Sequence, residues 1–586
     1  MGLQTYNRFL LLVAGLGGLL YGVDVGIIAG ALPYLEATSG LTAGQLSIVV
    51  AAVLLGSVIS TLFAGVLSDW MGRRTVMALS GVLFVVSIPT IALAHGYGPL
   101  VLGRLLQGVS AGLIGVVVPL YLAECLGASN RGKGTGIFQW LLTLGIVAAA
   151  LVGMYFSYRV NAVSSLGDPA KVLAFEDIAW RSIFWVSLPP GVLFVLGSFI
   201  VAESPRWLFR RGRKEAARAA LLRSRPPAQA DLELREMEET ASAARGAEGT
   251  KTRESLLRRK YVIPFVLACI ILACNQATGI NSIIAYNTNI LIQSGLSDIA
   301  AHWGYVIFTI MNFLFTAGGV MLVDRKGRKF LLSLGTAGII ATLICTGFLF
   351  WRPEKLRVDA RNAVQARVTP DQKLRLAYDE NTARELLTAA GDAGRRIEGR
   401  PTSMIIIYSY GDFRAATKAA RSDDMSAKPL EITREAAVPA NKVVAFFSNP
   451  TGDLDAARSA PLKIENALIT PMPSTGNGWL VALTLFVFTA FYAVGPGVCV
   501  WLALSELMPT RIRSNGMSIA LLLNQGVSTT IAAIFLPTVG RYGYSTVFFG
   551  FAACTVIYFI TAAFFLPETR GKTLEEIEAH FEHAAS

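Results

Sequence analysis

The chain carries one polar motif twice: Asp69–Arg74 reads DWMGRR, and Asp324–Lys329 reads DRKGRK. The two copies share the pattern D-x-x-G-R-[RK] and begin 255 residues apart. Each copy lies between two long apolar runs, so each is expected to be a tight polar loop joining two hydrophobic segments. Motifs that recur in the same order along a chain indicate an internal duplication.

Two further pairs of charged motifs follow the two copies in the same order. They are Glu124 with Arg131, matched by Glu506 with Arg513, and ESPR at 203–206, matched by PETR at 567–570. Three matches in the same order predict that the chain consists of two similar halves.

The composition places both halves in a lipid bilayer. Of the 586 residues, 53% are hydrophobic and only 16% are charged, and the mean hydropathy is +0.51. The uncharged runs are about 20 residues long, which is the length that a helix needs to cross a bilayer. Backbone groups in lipid need partners within their own segment, so these spans should be helices. The composition excludes a soluble protein of several domains.

Patterns typical of enzymes and metal sites are absent from the sequence. The four histidines form no zinc or triad pattern, and there is no phosphate-binding glycine loop with its lysine. The six cysteines all lie in apolar segments, which predicts packing thiols and no disulfide framework. The sequence therefore predicts a protein that is not an enzyme and that has no cofactor and no metal site.

We predict twelve spans, six in each half. They are Phe9–Gly30, Ile48–Ser68, Thr75–Ala94, Leu100–Cys125, Gly134–Phe156, Ile183–Val201, Val262–Ile292, Trp303–Val323, Phe330–Trp351, Trp479–Leu507, Ser518–Leu536 and Val547–Leu566. The apolar run that follows Arg8 shows no cleavage site, so we expect it to be the first span and not a removable signal peptide.

Lysine and arginine in the short loops predict the orientation of the spans. The loops after the second, fourth, eighth and tenth spans carry these residues, whereas the loops after the first, third and seventh carry none. Both termini are therefore predicted to be cytoplasmic in a multi-pass protein of the cell membrane. The net charge of +12 partly reflects this bias, so it is no sign of a nucleic-acid partner.

A long insertion interrupts the second half. Glu124 follows Asp69 by 55 residues, but Glu506 follows Asp324 by 182. Removing the 125 residues 352–476 nearly restores the spacing of the first half. This segment follows the ninth span, so we predict that it is extracytoplasmic.

The insertion contains segments with secondary-structure patterns. Asp371–Ala390 resembles a helix, Ser403–Tyr410 and Lys442–Ser448 resemble strands, and Thr417–Ala420 resembles the end of a crossover helix. We predict a small α/β cap, with a mostly disordered linker as the alternative. A binding partner outside the cell remains open for this segment.

The predicted organisation has six parts. We expect residues 1–202 to hold six spans, 203–260 to form cytoplasmic linker helices, 261–351 to hold spans 7–9, 352–476 to be the insertion, 477–566 to hold spans 10–12 and 567–586 to be a cytoplasmic tail. Within the linker, Arg213–Arg225 and Asp231–Glu239 have the composition of amphipathic helices.

Asp24 lies inside the first span, where a carboxylate is costly and usually marks function. The best partner by sequence is Arg104, near the membrane end of the fourth span. The functional interpretation is a titrating carboxylate that couples proton uptake to transport. The structural alternative is a static ion pair that fixes the packing of the two spans.

Amide side chains gather in several spans. They are Gln139 in the fifth span, Asn275, Gln276, Asn281 and Asn287 in the seventh, Asn312 in the eighth, and Asn524 and Gln525 in the eleventh. The stretch 275–281 should interrupt its helix, and transporters place binding sites at such breaks. Amides donate and accept hydrogen bonds, which suits neutral, hydroxyl-rich ligands. Trp501 could offer a flat surface to a sugar ring. For any single amide, a hydrogen bond between helices is the alternative.

These motifs resemble the sugar porter family of the major facilitator superfamily, over all but the insertion. The first half shows Asp69 with GRR at 72–74, GR at 103–104, Pro119, Tyr121, Glu124 with RG at 131–132, and ESPRWL at 203–208. The second half shows DRKGRK at 324–329, Gln276 with GIN at 279–281, GPG at 495–497 with Trp501, and PETRG at 567–571. The resemblance implies two six-helix bundles that rock around a central site, and therefore alternating access.

The resemblance also implies roles for individual residues. Sugar ligands would be Gln139, Asn275, Gln276, Asn281, Asn312, Trp501 and Asn524. Asp24 and Arg104 fall where proton-coupled members keep an acidic and a basic residue, which favours symport. A cytoplasmic gate network would comprise Asp69, Arg73, Arg74, Glu124, Arg131 and Glu203, with Asp324, Arg328, Glu506, Arg513 and Glu568.

Several positions depart from the family pattern. Asn275 replaces a usual Gln, Ala285 a common Tyr, Gln525 a common Trp, and Val498 and Val500 two frequent prolines. Ordinary hexose specificity is therefore open. The leading hypothesis is a proton–sugar symporter with a small-molecule sugar, protons and the lipid bilayer as partners. The alternatives are a carrier of a polyol or a cyclic acid, and a nutrient sensor with the same fold.

Overall fold

The computed structural model describes residues 2–568 and residue 581, with gaps at 127–130, 248–258, 425–427, 440–441, 443–444, 446–448, 450 and 509–512. Within these residues, twelve helical segments are long and apolar enough to cross a membrane. This confirms the predicted twelve spans. Spans 1 to 12 below denote the observed segments.

Most spans are single helices, and three are interrupted. Span 1 is Leu3–Ser39, span 2 Ala43–Met71, span 3 Arg73–Ala92, span 4 Tyr97–Cys125, span 5 Arg131–Ser164, span 6 Pro169–Trp185 with Leu188–Ile200, span 7 Arg259–Ala277 with Ile280–Ala285, span 8 Asp298–Lys326, span 9 Arg328–Glu354, span 10 Thr475–Val494 with Pro496–Leu507, span 11 Arg513–Tyr542, and span 12 Tyr544–Ile560 continued by a π-helix at Thr561–Phe565. A further helix at Asn287–Gln293 follows span 7.

The repeated polar motifs form the turns between spans 2 and 3 and between spans 8 and 9. Gly72 (φ +95°) and Gly327 (φ +89°) separate the helices, and both lie in a backbone region that side chains disfavour. A side chain at either glycine would also collide with a carboxylate, that of Glu203 or that of Glu568. The motif therefore needs glycine both for its φ angle and for the close approach of an acidic residue.

Three helices follow span 6 in the linker between the two halves, at Pro205–Arg210, Lys214–Ser224 and Pro227–Ala247. They include the two segments expected to be helical, and the third helix is longer than predicted. We call the side of the molecule that carries them the linker face.

The insertion folds as a compact α/β unit, which confirms the predicted cap; we use "cap" for residues 355–474. Its strands are β1 Val358–Asp359, β2 Leu374–Leu376, β3 Thr402–Tyr410, β4 Phe413–Ala416, β5 Ala420–Arg421, β6 Leu430–Ile432 and β7 Leu462–Pro471. Its helices lie at Arg361–Gln365, Glu380–Ala389, Asp392–Arg395, Arg434–Ala437 and Leu454–Ser459. The side of the molecule that the cap covers is the cap face.

An antiparallel sheet organises the cap. The strand order is β1-β7-β3-β4, with β5 also paired to β3, and β2 pairs with β6 in a separate ribbon. Apolar side chains from residues between 358 and 469 fill its core, among them Leu386, Tyr408 and Ile464. The cap thus has a hydrophobic core of its own, distinct from those of the bundles.

Three local predictions for the cap are wrong. The predicted helix at 371–390 contains β2, and the helix begins only at Glu380, where the Asp379 carboxylate accepts a hydrogen bond from Thr382 N at 2.7 Å. Residues 417–420 end no crossover helix, because β3 turns directly back into β4. Lys442 and Ala445 are helical, not strand, and the rest of 442–448 lies largely outside the described residues. Short apolar runs do not distinguish a strand from a buried helix.

Candidate functional site

The acidic and basic residues predicted to couple proton movement lie together inside the first bundle. Asp24 on span 1 and Arg104 and Gln107 on span 4 are all buried. Arg104 Nη1 donates to Gln107 Oε1 at 2.6 Å, and the Arg104 guanidinium carbon lies 5.8 Å from the centre of the Phe184 ring. Arg104 and Gln107 are positioned three residues apart, so both face span 1.

The pairing between Asp24 and Arg104 is less direct than the sequence suggested. Both groups act on each other electrostatically, but they form no ion pair within 4.0 Å, and Arg104 bonds to Gln107. Both carboxylate oxygens of Asp24 are buried and make no hydrogen bond of good geometry in the described structure, although the Gln107 amide lies close enough to interact with the carboxylate. A buried carboxylate with incomplete pairing is costly, and such costs persist mainly where function needs them.

The amides of the second half meet at a break in span 7. The helix ends at Ala277 and restarts at Ile280, with Gly279 in the left-handed region at φ +82°. Thr278 Oγ1 donates to the carbonyl of Asn275 at 2.7 Å and so satisfies an acceptor at the break. The predicted interruption at 275–281 is therefore present.

Hydrogen bonds join this break to spans 10 and 11. Gln276 Nε2 donates to Asn524 Oδ1 at 3.2 Å, and Asn281 Nδ2 donates both to Gln276 Oε1 at 3.0 Å and to Ser528 Oγ at 2.8 Å. Asn275 Nδ2 donates to the Tyr492 hydroxyl at 3.3 Å. We call Asn275, Gln276, Asn281, Tyr492, Asn524 and Ser528 the amide cluster. Four of its members were predicted site residues.

Gln139 and Asn312 are not among the hydrogen-bonded members of this cluster. Gln139 is exposed on span 5 and Asn312 is half-buried on span 8, where their neighbours Trp140 and Phe313 stack at 5.3 Å between ring centres. These two spans face each other across the boundary between the bundles. The Trp501 side chain lies outside the described part of the structure.

Sequence reasoning missed Tyr492, Ser528 and Gln107. Ser528 is four residues after Asn524, so the two share one helix face, and this spacing was the available signal. Gln107 likewise follows Arg104 by three. Tyr492 had no signal beyond a phenol in an apolar segment.

The first-half network on the linker face centres on Arg73. Its guanidinium lies 2.8 Å from Asp69 and 2.9 Å from Glu124, and Arg210 adds a second contact to Glu124 at 3.1 Å. The Glu203 carboxylate accepts from the backbone N–H of Arg73 at 2.9 Å. Burial raises the pKa of Glu203, although hydrogen bonds from backbone N–H groups oppose this shift.

The second-half network repeats part of this pattern. Glu568 accepts from the backbone N–H groups of Arg328 at 3.1 Å and Lys329 at 3.2 Å, as Glu203 does in the first half. The backbone of Arg74 also bonds to Glu203, at 3.1 Å. The side chains of four other predicted gate residues lie outside the described residues: Arg131, Asp324, Glu506 and Arg513.

The two bundles are joined at the cap face. The Tyr34 hydroxyl of span 1 and the Ser157 hydroxyl of span 5 donate to the Asp298 carboxylate of span 8, at 2.8 and 2.5 Å. The Tyr305 hydroxyl donates to the Gly26 carbonyl at 2.9 Å. In contrast, the ion pairs described on the linker face each stay within one half of the chain. The molecule is therefore closed on its cap face.

Comparison with known proteins identifies the family. A family model described as "Sugar (and other) transporter" matches residues 10–364 and 464–581. The chain belongs to this family of sugar porters in the major facilitator superfamily. It is a multi-pass membrane transporter and not an enzyme. The unmatched residues 365–463 lie within the cap, so the cap is an addition to the sugar porter fold.

Individual sugar porters align along nearly the whole chain. "Glucose transporter GlcP" of Staphylococcus epidermidis is 27% identical over 98% of this chain and 97% of its own length. The human "Proton myo-inositol cotransporter" is 26% identical over 97% of this chain and 81% of its own length. The xylose transporter XylE from Escherichia coli, in a partially occluded inward-open conformation, superposes with a TM-score of 0.62 at 18% identity. That match covers 96% of this chain and 100% of XylE, and it shows a common fold.

Proposed function

We propose that this protein carries a monosaccharide or a related polyol across the cell membrane together with a proton, by alternating access. Both termini and the linker face are cytoplasmic, and the cap is extracytoplasmic. The observation that carries the proposal is the combination of a buried, incompletely paired Asp24 in one bundle with the amide cluster in the other.

The amide cluster supports a neutral, hydroxyl-rich substrate. Its side chains offer both donors and acceptors, and a sugar hydroxyl needs both. Gln276 and Asn524 are buried, and the Oδ1 atom of Asn275 has no partner within the described residues. A carboxylate substrate would need a cation, and Arg104 is hydrogen-bonded to Gln107 and already lies in the field of the Asp24 carboxylate. We therefore favour a sugar over a cyclic acid.

Asp24 supports proton coupling. Asp24 lies two residues before Gly26, whose carbonyl accepts from the Tyr305 hydroxyl of the second bundle, so its surroundings change when the bundles rock. A relative named as a proton cotransporter is consistent with this assignment. Movement of the Gln107 side chain would separate Arg104 from the Asp24 carboxylate in one state, which favours proton uptake by Asp24. In the other state it would let Arg104 pair with the carboxylate, which favours release of the proton.

The charges of the short loops support the proposed orientation, and the polar networks at the ends of the spans support the proposed gate. The loops on the linker face carry most lysines and arginines of the short loops, as cytoplasmic loops do. The networks around Arg73 and Glu568 hold the ends of spans on this face in a fixed arrangement. We assign them to the cytoplasmic gate that closes when the cap face opens.

A polyol is the second candidate substrate. Ala285, Val498 and Val500 replace larger or more rigid residues of the family pattern, and two relatives are named as inositol transporters. Ala285 stands where a Tyr is common, and its smaller side chain in span 7 would leave more room for a ring with hydroxyls at all of its carbons.

Uptake into proteoliposomes tests the proposal. Labelled D-glucose, D-galactose, D-xylose and myo-inositol are compared, with the lumen alkaline or at the outside pH. We expect at least one compound to accumulate above its external concentration only with the gradient, and a protonophore to abolish this accumulation. Uptake that merely equilibrates under both conditions would contradict symport. No uptake of any of the four would contradict the assigned substrate class.

A further inference from the structure

The cap bridges both bundles. It is inserted between spans 9 and 10, yet Lys418 Nζ donates to the Glu36 carbonyl at 2.9 Å and Lys428 Nζ to the Thr38 carbonyl at 2.8 Å, both at the end of span 1. On the other side, β3 and β4 pack near Gly540 of span 11. The cap therefore covers the opening through which a substrate from outside must pass.

A cavity of about 350 Å³ lies beneath the cap. This volume falls within the range of about 300–1,000 Å³ that is typical of small-molecule sites. The cap contributes residues such as Lys418 and Arg421, and the bundles contribute Tyr34, Asn161 and Asn289. The hydrogen bond from Tyr34 to Asp298 joins the bundles next to this cavity. The cavity is thus an outer chamber, separate from the amide cluster.

The walls of the chamber are polar and carry charges of both signs, with more carboxylates than cations. Five carboxylates line it, from Glu36, Glu176, Asp298, Asp423 and Asp424, together with the cations of Lys418, Arg421 and Lys428. Arg421 holds Asp423 through two bonds of 2.8 and 2.9 Å, and His302 Nδ1 lies 3.3 Å from the Asp298 carboxylate. Charged donors and acceptors form stronger hydrogen bonds to hydroxyl groups than neutral ones do, so these walls suit a hydroxyl-rich ligand.

Two buried acceptor atoms at the chamber lack a hydrogen-bond donor within the described residues. Asn289 is 8% exposed; its Nδ2 donates to Glu36 at 2.5 Å, whereas its buried Oδ1 has no partner among the described residues. Glu176 has a buried Oε2 that likewise lacks a partner there. A buried acceptor without a donor is unfavourable, and a bound hydroxyl would supply the donor.

Lys418 of the cap is the third polar residue at this side of the chamber, next to Glu36 and Asn289. Burial lowers the pKa of Lys418, and the neighbouring Glu36 carboxylate opposes this shift. The ammonium group has three donors, of which one is used by the Glu36 carbonyl. Asn289, Glu36 and Lys418 thus form one continuous polar surface between the cap and both bundles.

We propose that the chamber between the cap and the bundles is a second binding site for the transported sugar or polyol, contacted by Glu36, Asn289 and Lys418. This inference rests on the proposed function. The ligand would replace the bond from Asn289 to Glu36, which joins the two halves. Occupation of the chamber would therefore weaken the closure of the cap face and favour the opening that admits the ligand to the amide cluster.

The number of bound molecules tests this inference. The full-length protein in lipid nanodiscs is titrated with whichever labelled compound of the four wild type transports, and binding is measured by equilibrium dialysis. We expect two molecules per chain for wild type. The variants Asn289→Leu and Lys418→Met should weaken one of the two sites by about tenfold or more and leave the other unchanged. Lys418 lies in the cap, so its variant remains informative if Asn289→Leu does not fold.

Controls separate the chamber from the central site. Lys373→Met removes an exposed lysine of the cap outside the chamber, and it should retain both sites. Gln276→Ala should weaken the other site and leave the chamber intact. One bound molecule per chain in wild type, with unchanged binding in both chamber variants, would overturn this inference while the proposed function stands. Absence of uptake of all four compounds by wild type would overturn both.

Discussion

At the scale of single residues, Asp24 has a property that asparagine cannot supply, because only the carboxylate takes up and releases a proton. The two side chains have nearly the same size, so Asp24→Asn should keep the packing around Gln107 and Arg104. We expect the variant to lose accumulation of substrate against its gradient and to retain exchange of labelled for unlabelled substrate. Both are measured in proteoliposomes with a pH gradient.

An exposed carboxylate serves as the control for this change. Asp371→Asn, on the surface of the cap, should leave accumulation intact. If Asp24→Asn still concentrates substrate, another group carries the coupling proton.

The amide cluster makes a second prediction for single residues. Gln276→Ala and Asn281→Ala each remove a hydrogen-bonding group and leave partners such as Asn524 and Ser528 unsatisfied. One such loss costs about 0.5–1.5 kcal/mol, and more when a buried partner stays unpaired. Apparent affinity should therefore fall by several-fold to about a hundredfold, with unchanged expression. Wild-type affinity in both variants would place the sugar elsewhere.

The sequence reveals those site residues whose side chains are polar within an otherwise apolar span. Asp24, Gln276 and Asn281 stand out because polar groups are rare inside spans. Gln107 and Ser528 are equally polar but were not connected to the site, because contacts between spans depend on which helix faces meet. The bond from Arg104 to Gln107 is a consequence of rotamers and distances that no spacing in the chain specifies.

At the scale of elements, the break in span 7 depends on one glycine. Gly279 has a φ of +82°, and a methyl group there would collide with the ring of Phe551. A residue with a side chain pays about 1–2 kcal/mol in this conformation before any collision is counted. Gly279→Ala should lower the thermal midpoint in detergent and weaken substrate binding together.

A glycine of span 12 provides the matched control. A methyl group at Gly550 would meet no atom within 4 Å, so Gly550→Ala should leave both stability and binding close to those of wild type. Equal behaviour of the two variants would show that the break tolerates an ordinary residue.

The turn between spans 2 and 3 permits a comparison of two arginines that share one partner. Both Arg73 and Arg210 contact Glu124, but the Arg73 side chain is 2% exposed and that of Arg210 is 58% exposed. Removal of a buried partner costs about 3–5 kcal/mol, whereas an exposed ion pair contributes about 0–1 kcal/mol. Arg73→Met should therefore lower the unfolding midpoint far more than Arg210→Met. Similar midpoints for the two variants would contradict a buried network.

The cap shows where the prediction of elements from sequence fails. Alternation and β-branched residues at 403–410 predict β3 correctly. The stretch 371–390 was misassigned because a helical pattern at its end was extended backwards through β2, although Asp379 marks the start of the helix. At 442–448 a short apolar run predicts a strand, but Lys442 and Ala445 are helical, and Ala445 packs into the cap core.

At the scale of the whole molecule, the cap should be removable. β1 pairs with β7 so that Val358 lies opposite Ile469, and paired residues lie only about 4.5–5.5 Å apart. A short Gly/Ser linker in place of Val358–Pro473 can therefore close the gap, and shortening a loop lowers its entropic cost. We expect a monodisperse protein with working proton coupling and a faster opening of the uncapped face, measured by uptake kinetics.

We expect the capped face to open more slowly than the uncapped one because Lys418 and Lys428 bond to the end of span 1. A deletion that is well expressed and monodisperse but binds no sugar would show that the cap completes the central site. Sequence repeats predicted the two halves of the molecule. They could not predict which face is closed, because that depends on bonds such as Tyr34 to Asp298, between residues 264 positions apart.

The order of strands in the cap has a consequence for biosynthesis. β7 lies inside the sheet, between β1 and β3, yet it is the last strand to be synthesised and directly precedes span 10. The sheet therefore lacks its central strand until the entire segment has left the ribosome and, in the proposed orientation, crossed the bilayer. In the proposed orientation we expect the cap to be translocated as an unfolded chain, with its folding coupled to the insertion of span 10, which fixes the end of β7 at the membrane surface.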